Sequence, residues 1–289
     1  MSESAPAGLP SLDLDRIVRA ALREGMPWGD ITTDALVPPD APGAGRLTAK
    51  ARGVLAGMPV AERVFHAVDA SVAFRVLKPD GRRVAPGDCL ATLSGPAASL
   101  LKAERVALNF LQRMSGVATL TAMYVEAVRG TRAHILDTRK TTPGLRLLER
   151  YAVRVGGGYN HRFCLSDGVL VKDNHLESLK RRGVGLKQAL EQARRAAPHM
   201  TRVEVEAQSL AQVREALDAG ADVIMLDNMP VPQMVEAVRM VSGEALLEAS
   251  GGVNLKTVRA VAETGVDLIS VGALTHSAPA LDISLDLEQ

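Results

Sequence analysis

The 289-residue chain reads as an α/β protein, a small mixed unit followed by a parallel sheet of serial strand–helix units. Three observations carry that expectation. In the second half, short β-rich runs alternate with helical runs. The later strands begin roughly every 20 to 23 residues, enough for one strand, one helix and two short loops. Before residue 100 the grammar differs, with strands separated by turn residues and a single intervening helix. Serial βα units imply a parallel sheet, either closed as a barrel or open and doubly wound.

Taken in order, residues 1–11 are small, polar and proline-containing, and are expected to fray. Leu14, Ile17, Val18, Ala21 and Leu22 recur at helical spacing, and Pro27 and Gly29 close that helix. Residues 46–55 and 72–77 read as strands, 60–70 as a helix, and Pro79-Asp80-Gly81 as a turn. VAPGDCLATLSG reads as a short strand pair. A long helical stretch over 99–129 is expected to be interrupted at Ser115-Gly116. Strands are then expected at 134–137, 168–172, 202–206, 222–226, 245–248 and 267–271. LDISLDL near the end alternates as a strand outside the βα rhythm, suited to rejoin the first unit.

Bulk properties narrow the function classes. Hydrophobic residues make up 47% and aromatics 3%, so aliphatic side chains must fill a substantial core. A net charge of +1 argues against a general polyanion binder, and so against nucleic acid as partner. Cys89 and Cys164 form neither a disulfide framework nor a spaced metal motif, and suit a reducing compartment. With no signal-peptide pattern and no bilayer-length apolar run, a cytoplasmic protein is expected.

Function concentrates at the C-terminal strand ends of a βα sheet. Here those ends carry Asp137-Thr138-Arg139-Lys140, Lys172-Asp173-Asn174, Glu204 and Glu206, Asp227-Asn228, and Glu248. One charged end is an ordinary solvated rim; five in succession suggest a pocket with a cationic and an anionic side. From residue 129 to 182 there are twelve Lys and Arg against five Asp and Glu, in a chain that is nearly neutral. Helix-surface charge accounts for Arg146, Arg150, Arg154, Lys180, Arg181 and Arg182. It fits less well for Arg139-Lys140, His161-Arg162 and Lys172, which lie at strand ends or beside a glycine run. Arginine forks bind carboxylates in bidentate fashion and lysine adds a point charge, so the cluster suits a small polyanion. Gly156-Gly157-Gly158 is a weak phosphate signal, as fit for a plain turn. Ser250-Gly251-Gly252 and Gly272-Ala273 follow late strands, where barrels often bind phosphate. Glu206 and Asp227 could hold Mg²⁺ or ribose hydroxyls, or form salt bridges to nearby bases.

The block ILDTRKTTPGLRLLERYAVRVGGGYNHRFCLSDGVLVKDNHL resembles the signature region of quinolinate phosphoribosyltransferases. WGDITTDAL, KAERVALNFLQRMSGVATLT, VEVEAQSL, DVIMLDNM, LEASGGVN and TGVDLISVGALTHS follow the same family order. The resemblance implies an N-terminal α/β sandwich over 1–115, an open, incomplete α/β barrel over 116–276, and a tail, 277–289, that rejoins the sandwich. It implies transfer of phosphoribosyl from phosphoribosyl diphosphate to quinolinate with decarboxylation, and Mg²⁺ as cofactor. Carried over by motif, Arg139, Lys140, His161, Arg162 and Lys172 would form the quinolinate pocket. Glu206 and Asp227 would hold ribose and metal. Ser250, Gly251, Gly252, Gly272, Ala273 and His276 would surround the 5′-phosphate. Lys140, Lys172, Glu206 and Asp227 would be catalytic. Arg105 would be donated across a homodimer interface. Rival readings are a Schiff-base lyase barrel using Lys172 and a molybdenum-transport-associated fold relative. VAPGDCLATLSG also resembles biotinyl and lipoyl carrier turns, but lacks their lysine.

Overall fold

The computed structural model describes residues 8–288. The fraying expected for 1–11 falls mostly outside them, and its last residue, Ser11, already opens a helix. In chain order the elements begin α1 (Ser11–Gly25), α2 (Ile31–Leu36), β1 (Pro42–Ala49), β2 (Gly53–Val54), α3 (Met58–Val68), β3 (Ala73–Val76), β4 (Arg83–Val84), β5 (Cys89–Pro96) and α4 (Ala97–Ala127). There follow β6 (His134–Leu136), α5 (Arg146–Val155), β7 (Val169–Val171), α6 (Asp173–Lys180), α7 (Leu186–Ala196), β8 (Val203–Ala207) and α8 (Leu210–Asp218). The chain closes with β9 (Val223–Asp227), α9 (Val231–Val241), β10 (Leu246–Ser250), α10 (Val258–Glu263), β11 (Leu268–Ser270), α11 (Ala273–His276) and β12 (Ile283–Glu288).

Contacts divide the chain into two units. The first holds the chain up to Ala122, Thr141–Gly157 and the chain from Leu274. Its main sheet runs β12-β1-β5-β3, with β1 antiparallel to both β5 and β12. The alternating tail is thus a strand paired along the full register Ala44↔Glu288 to Ala49↔Ile283. On α1 the periodic residues Leu14, Ile17, Val18 and Leu22 are buried, and the helix packs on α3, whose Val60, Val64 and Phe65 are fully enclosed. Asp80 accepts from the Gly57 and Met58 amides at 2.9 and 3.0 Å, supplying the α3 N-terminus with an acceptor from the turn. Tyr151 on α5 donates to the same carboxylate at 2.9 Å, one of the bonds that groups α5 with this unit.

Two expectations need correction here. The long helix α4 is continuous through Ser115-Gly116. Ser115 Oγ instead accepts from the Ala56 amide at 3.0 Å and donates to its carbonyl at 3.1 Å. Gly116 lies directly under Pro279, whose carbonyl oxygen occupies the space a Cβ would need. The pair is a close-approach point for the returning tail, not a helix break. Arg150, read as surface charge, is buried on the inner side of α5, as is Glu149, which bonds Arg113 and Thr142.

The second unit holds Met123–Lys140 and Gly158–Ala273. Its six strands run in the order β6-β11-β10-β9-β8-β7, every pair parallel. That is the sequential circuit of a βα barrel, left open between β6 and β7. The gap is narrowed by the strip at Tyr159, whose amide donates to Ile135 and whose carbonyl accepts from Asp137. Strands start at 203, 223, 246 and 268, reproducing the spacing of the βα rhythm. Val205, Val213, Ile224, Leu226, Leu247, Ala249, Val258 and Ile269 form the buried layer between strands and helices.

Candidate active site

Side chains alternate along a strand, and parallel register carries a face from one strand to the next. Leu170 is level with Glu204, Glu204 with Val223, Glu206 with Met225, and Met225 with Glu248. Lys172, Glu204, Glu206, Asp227, Glu248, Ser250 and Ser270 therefore share one face of the sheet. Of these, Glu204, Glu248 and Ser270 are buried, and the rest stand at the more open rim.

The strip after the glycine run is fastened to the end of β6. Asp137, fully buried, accepts from the His161 amide at 2.8 Å and from Asn160 Nδ2 at 2.5 Å. The glycine run itself is a turn. A Cβ on Gly156 would meet the Ala118 carbonyl at 2.5 Å, and Gly157 has φ +87°. This arrangement brings His161 and Arg162 to the same end of the barrel as Arg139. Arg162 is half-buried, with Nη1 donating to the Gly168 carbonyl at 2.8 Å. Burial and the charge of Arg139 lower its pKa, partly offset by Glu204. Arg139 and Lys140 are exposed on the loop after β6, where the Lys140 amide donates to Thr138 Oγ1 at 3.1 Å.

Lys172 directly follows β7 as the N-cap residue of α6, its amide donating to His175 Nδ1 at 2.9 Å. Its ammonium group lies 3.3 Å from Glu206 Oε1 and 3.5 Å from Oε2. Asp227 ends β9 and accepts from Asn228 Nδ2 at 2.9 Å and Gln208 Nε2 at 3.3 Å. Gly251 and Gly252 have φ +91° and +64°, and a Cβ on Gly251 would strike the Asn228 side chain. The glycines after β10 thus let the loop lie against the neighbouring strand end. Gly272 and Ala273 follow β11 on the adjacent rim.

One buried group is more organised than its sequence pattern suggested. His161 Nε2 lies 3.2 Å from Glu204 Oε2 and 3.5 Å from Glu248 Oε2. In the sequence both acids are simply charged strand ends. VEVE places Glu204 and Glu206 on one face, but depth separates them: two residues of strand, about 6.6 Å, put Glu204 in the interior. Arg105 and His276 belong to the first unit. Arg105 is exposed on α4, 3.9 Å from Glu104, and lines an open cavity of about 750 Å³ with Arg16, Lys102 and Arg113. His276 is exposed, with Nδ1 2.6 Å from Ser277 Oγ.

An open parallel βα barrel with bases and acids on successive strand ends is an enzyme scaffold of the α/β-barrel class. Comparison with known proteins makes the assignment specific. Residues 30–115 match the N-terminal domain and residues 117–286 the C-terminal domain described as quinolinate phosphoribosyl transferase. The chain is 46% identical over 276 residues to the nicotinate-nucleotide pyrophosphorylase (carboxylating) of Mycobacterium leprae, covering 93% of this chain and 95% of the relative. It is 43% identical over 276 residues to the "Probable nicotinate-nucleotide pyrophosphorylase (carboxylating)" of Bacillus subtilis, covering 96% and 94%. Among solved structures, NadC from Streptococcus pyogenes superposes with TM-score 0.93 at 45% identity, covering 98% of this chain and 99% of the other. The chain belongs to the quinolinate phosphoribosyltransferase family.

Proposed function

We infer that this protein transfers the phosphoribosyl group of phosphoribosyl diphosphate to quinolinate with loss of one carboxylate, giving nicotinate mononucleotide, diphosphate and carbon dioxide. Beyond family membership, the observation that carries this reading is the strip fastened to the end of β6, where Asp137 accepts from the His161 amide at 2.8 Å, which sets His161 and Arg162 at the barrel end that also carries Arg139. The charge of Arg139 helps lower the Arg162 pKa, and Lys172 directly follows β7. Adjacent carboxylates on a planar ring answer that arrangement, because each guanidinium gains a bidentate anionic partner.

The chemistry follows from charge. The ring nitrogen of quinolinate forms a bond to the anomeric carbon as the bond to diphosphate breaks. Lys140 supplies positive charge toward the departing diphosphate. Glu206 and Asp227, on the acidic part of the rim, stabilise positive charge developing on the ribose and accept from its hydroxyls. The positive ring nitrogen then stabilises the carbanion left on the neighbouring ring carbon when its carboxylate departs as carbon dioxide, and that carbon takes a proton. Ser250, Gly251, Gly252, Gly272 and Ala273 offer the 5′-phosphate a polar loop edge.

Glu206 and Asp227 are suited to Mg²⁺, since both are carboxylates at neighbouring strand ends and oxygen donors match that ion. Bound there, the ion would neutralise diphosphate oxygens. Lys172 lies 3.3 Å from Glu206 Oε1, the contact of an ion-pair partner on the rim. Two free thiols suit the cytoplasm. Assembly as a homodimer, with Arg105 reaching the partner's pocket, is supported by the exposed apolar surface of Trp28, Ile31 and Leu36 on the first unit.

The test is formation of nicotinate mononucleotide from quinolinate and phosphoribosyl diphosphate, with and without Mg²⁺. Stoichiometric product and carbon dioxide that require Mg²⁺ support the whole reading. Product without a metal requirement removes the cation assignment, and no product removes the function.

A further inference from the structure

His161 is surrounded by the barrel at three atoms. Its amide donates to Asp137 Oδ1 at 2.8 Å. Its Nδ1 accepts from the Arg162 amide at 2.7 Å. Its Nε2 faces Glu204 Oε2 at 3.2 Å and Glu248 Oε2 at 3.5 Å. One tautomer satisfies all of these, with the proton on Nε2 and the lone pair on Nδ1.

Burial disfavours a charged ring here, while the hydrogen bond to Glu204 and the fields of both carboxylates outweigh it and favour a second proton. That proton would have to enter on Nδ1, directly against the Arg162 N–H. Two donors cannot share that 2.7 Å contact, so the ring that holds Arg162 is the neutral one. With both nitrogens engaged and the side chain 13% exposed, His161 has no remaining ring donor for a substrate carboxylate.

We propose that His161 is a positioning residue. Glu204 and Glu248 hold its ring from below, and it fixes the main chain at Arg162 so that the guanidinium meets the dicarboxylate. The parts come from separate elements: Asp137 after β6, Glu204 on β8 and Glu248 on β10. Arg162 has its second tether at the Gly168 carbonyl. Holding the arginine at both its backbone and its fork restricts it to one pose before substrate arrives, which lowers the ordering cost of binding. The proposal rests on the reading of Arg162 as a quinolinate ligand.

A double-mutant cycle separates positioning from direct contact. Quinolinate affinity and the KM of each substrate are measured in wild type, His161→Ala, Arg162→Ala and the double variant. Acting through Arg162, His161→Ala should raise the quinolinate KM on the order of 10-fold in the wild-type background, and by less than about threefold once Arg162 is gone. The KM for phosphoribosyl diphosphate should stay within about threefold throughout. Glu204→Ala should reproduce His161→Ala, and Glu204→Gln, which keeps a side-chain oxygen for the Nε2 proton, should restore most of the affinity. His161→Gln, which retains a donor toward Glu204 but loses the acceptor for the Arg162 amide, repeats the cycle if the alanine variant does not fold. Equal losses from His161 replacement in both backgrounds would make His161 a direct ligand and overturn the proposal. Wild-type enzyme that fails to turn over quinolinate would instead overturn the functional reading beneath it.

Discussion

On the proposed reading, quinolinate binding depends most heavily on Arg162. It is half-buried, tethered to Gly168, and opposed by the neighbouring charge of Arg139. An anion between the two guanidiniums relieves that opposition. Arg162→Ala should therefore weaken quinolinate binding by roughly 2–5 kcal/mol, as for truncating one partner of a buried charge pair. Titration calorimetry checks this, and wild-type affinity would remove Arg162 from the pocket. Glu206→Gln and Asp227→Asn should lose turnover yet bind quinolinate alone, since the proposed mechanism sets both against the ribose rather than the pyridine ring. Unchanged rate and unchanged Mg²⁺ dependence in both would sink that assignment. Glu248 differs from them in being fully enclosed. Burial first, then the charge of Glu204, raises its pKa from 4.5 to about 7. The folded state thus holds the proton more tightly than the unfolded chain. Its contribution favours folding at low pH, and stability falls as pH climbs from about 4.5 to about 7. Between pH 5 and pH 8, Glu248→Gln should gain on wild type by on the order of 1–3 kcal/mol in denaturant unfolding. Parallel pH profiles for the two proteins would show that Glu248 ionises freely. The rim was legible in the sequence because strand-end position and residue type suffice to find Arg139, Lys172, Glu206 and Asp227. The buried set was not, because neither the tertiary meeting of Glu204, Glu248 and His161 nor their depth is written in any local pattern.

At the scale of elements, periodicity carried the assignments. Four of the five residues that the spacing of α1 picks out are buried, Ala21 being only partly so, and the strands of the parallel sheet lie within a residue or two of their expected positions. Where the pattern misled, long-range packing had overridden local propensity. Glycine costs about 1 kcal/mol relative to alanine inside a helix, so Ser115-Gly116 reads as a weak point. In α4 that cost is accepted because Pro279 of the returning tail passes over Gly116, and Ser115 binds both polar atoms of the Ala56 backbone. The same tail accepts other anchors: Arg113 donates to the Ala278 carbonyl at 2.9 Å, and Gln112 to the Ile283 carbonyl at 2.7 Å. Gly116→Ala improves helix propensity and should still destabilise, by about 1–3 kcal/mol, because the methyl group collides with backbone and the tail must move. Denaturant unfolding checks the sign. A stabilised variant would mean that the tail does not press on α4.

At the scale of the whole molecule, Arg105 remains to be explained. It is exposed on α4, near Glu104 but at 3.9 Å, too long for a firm hydrogen bond. With Arg16, Lys102 and Arg113 it gives the open cavity of the first unit a basic wall. Asp30, which lines the same cavity, caps α2 by accepting from the Thr32 and Thr33 amides, and this short helix presents Ile31 and Leu36 to solvent beside an exposed Trp28. Large apolar side chains at such exposure suit contact with a second copy. A two-fold interface is isologous, so each subunit would give one Arg105 and receive one. The arrangement makes a counting claim. Arg105→Ala and Lys172→Ala homodimers should each be nearly inactive, since every site lacks one cation. After subunit exchange, a heterodimer has one site with both defects and one with neither. Activity per heterodimer should return toward half of the wild-type value, measured as nicotinate mononucleotide formed after exchange is verified by differential tagging. If verified heterodimers stay inactive, Arg105 either serves its own subunit or has no place in the reaction. If the Arg105→Ala homodimer keeps wild-type turnover, the cavity wall is basic for another reason.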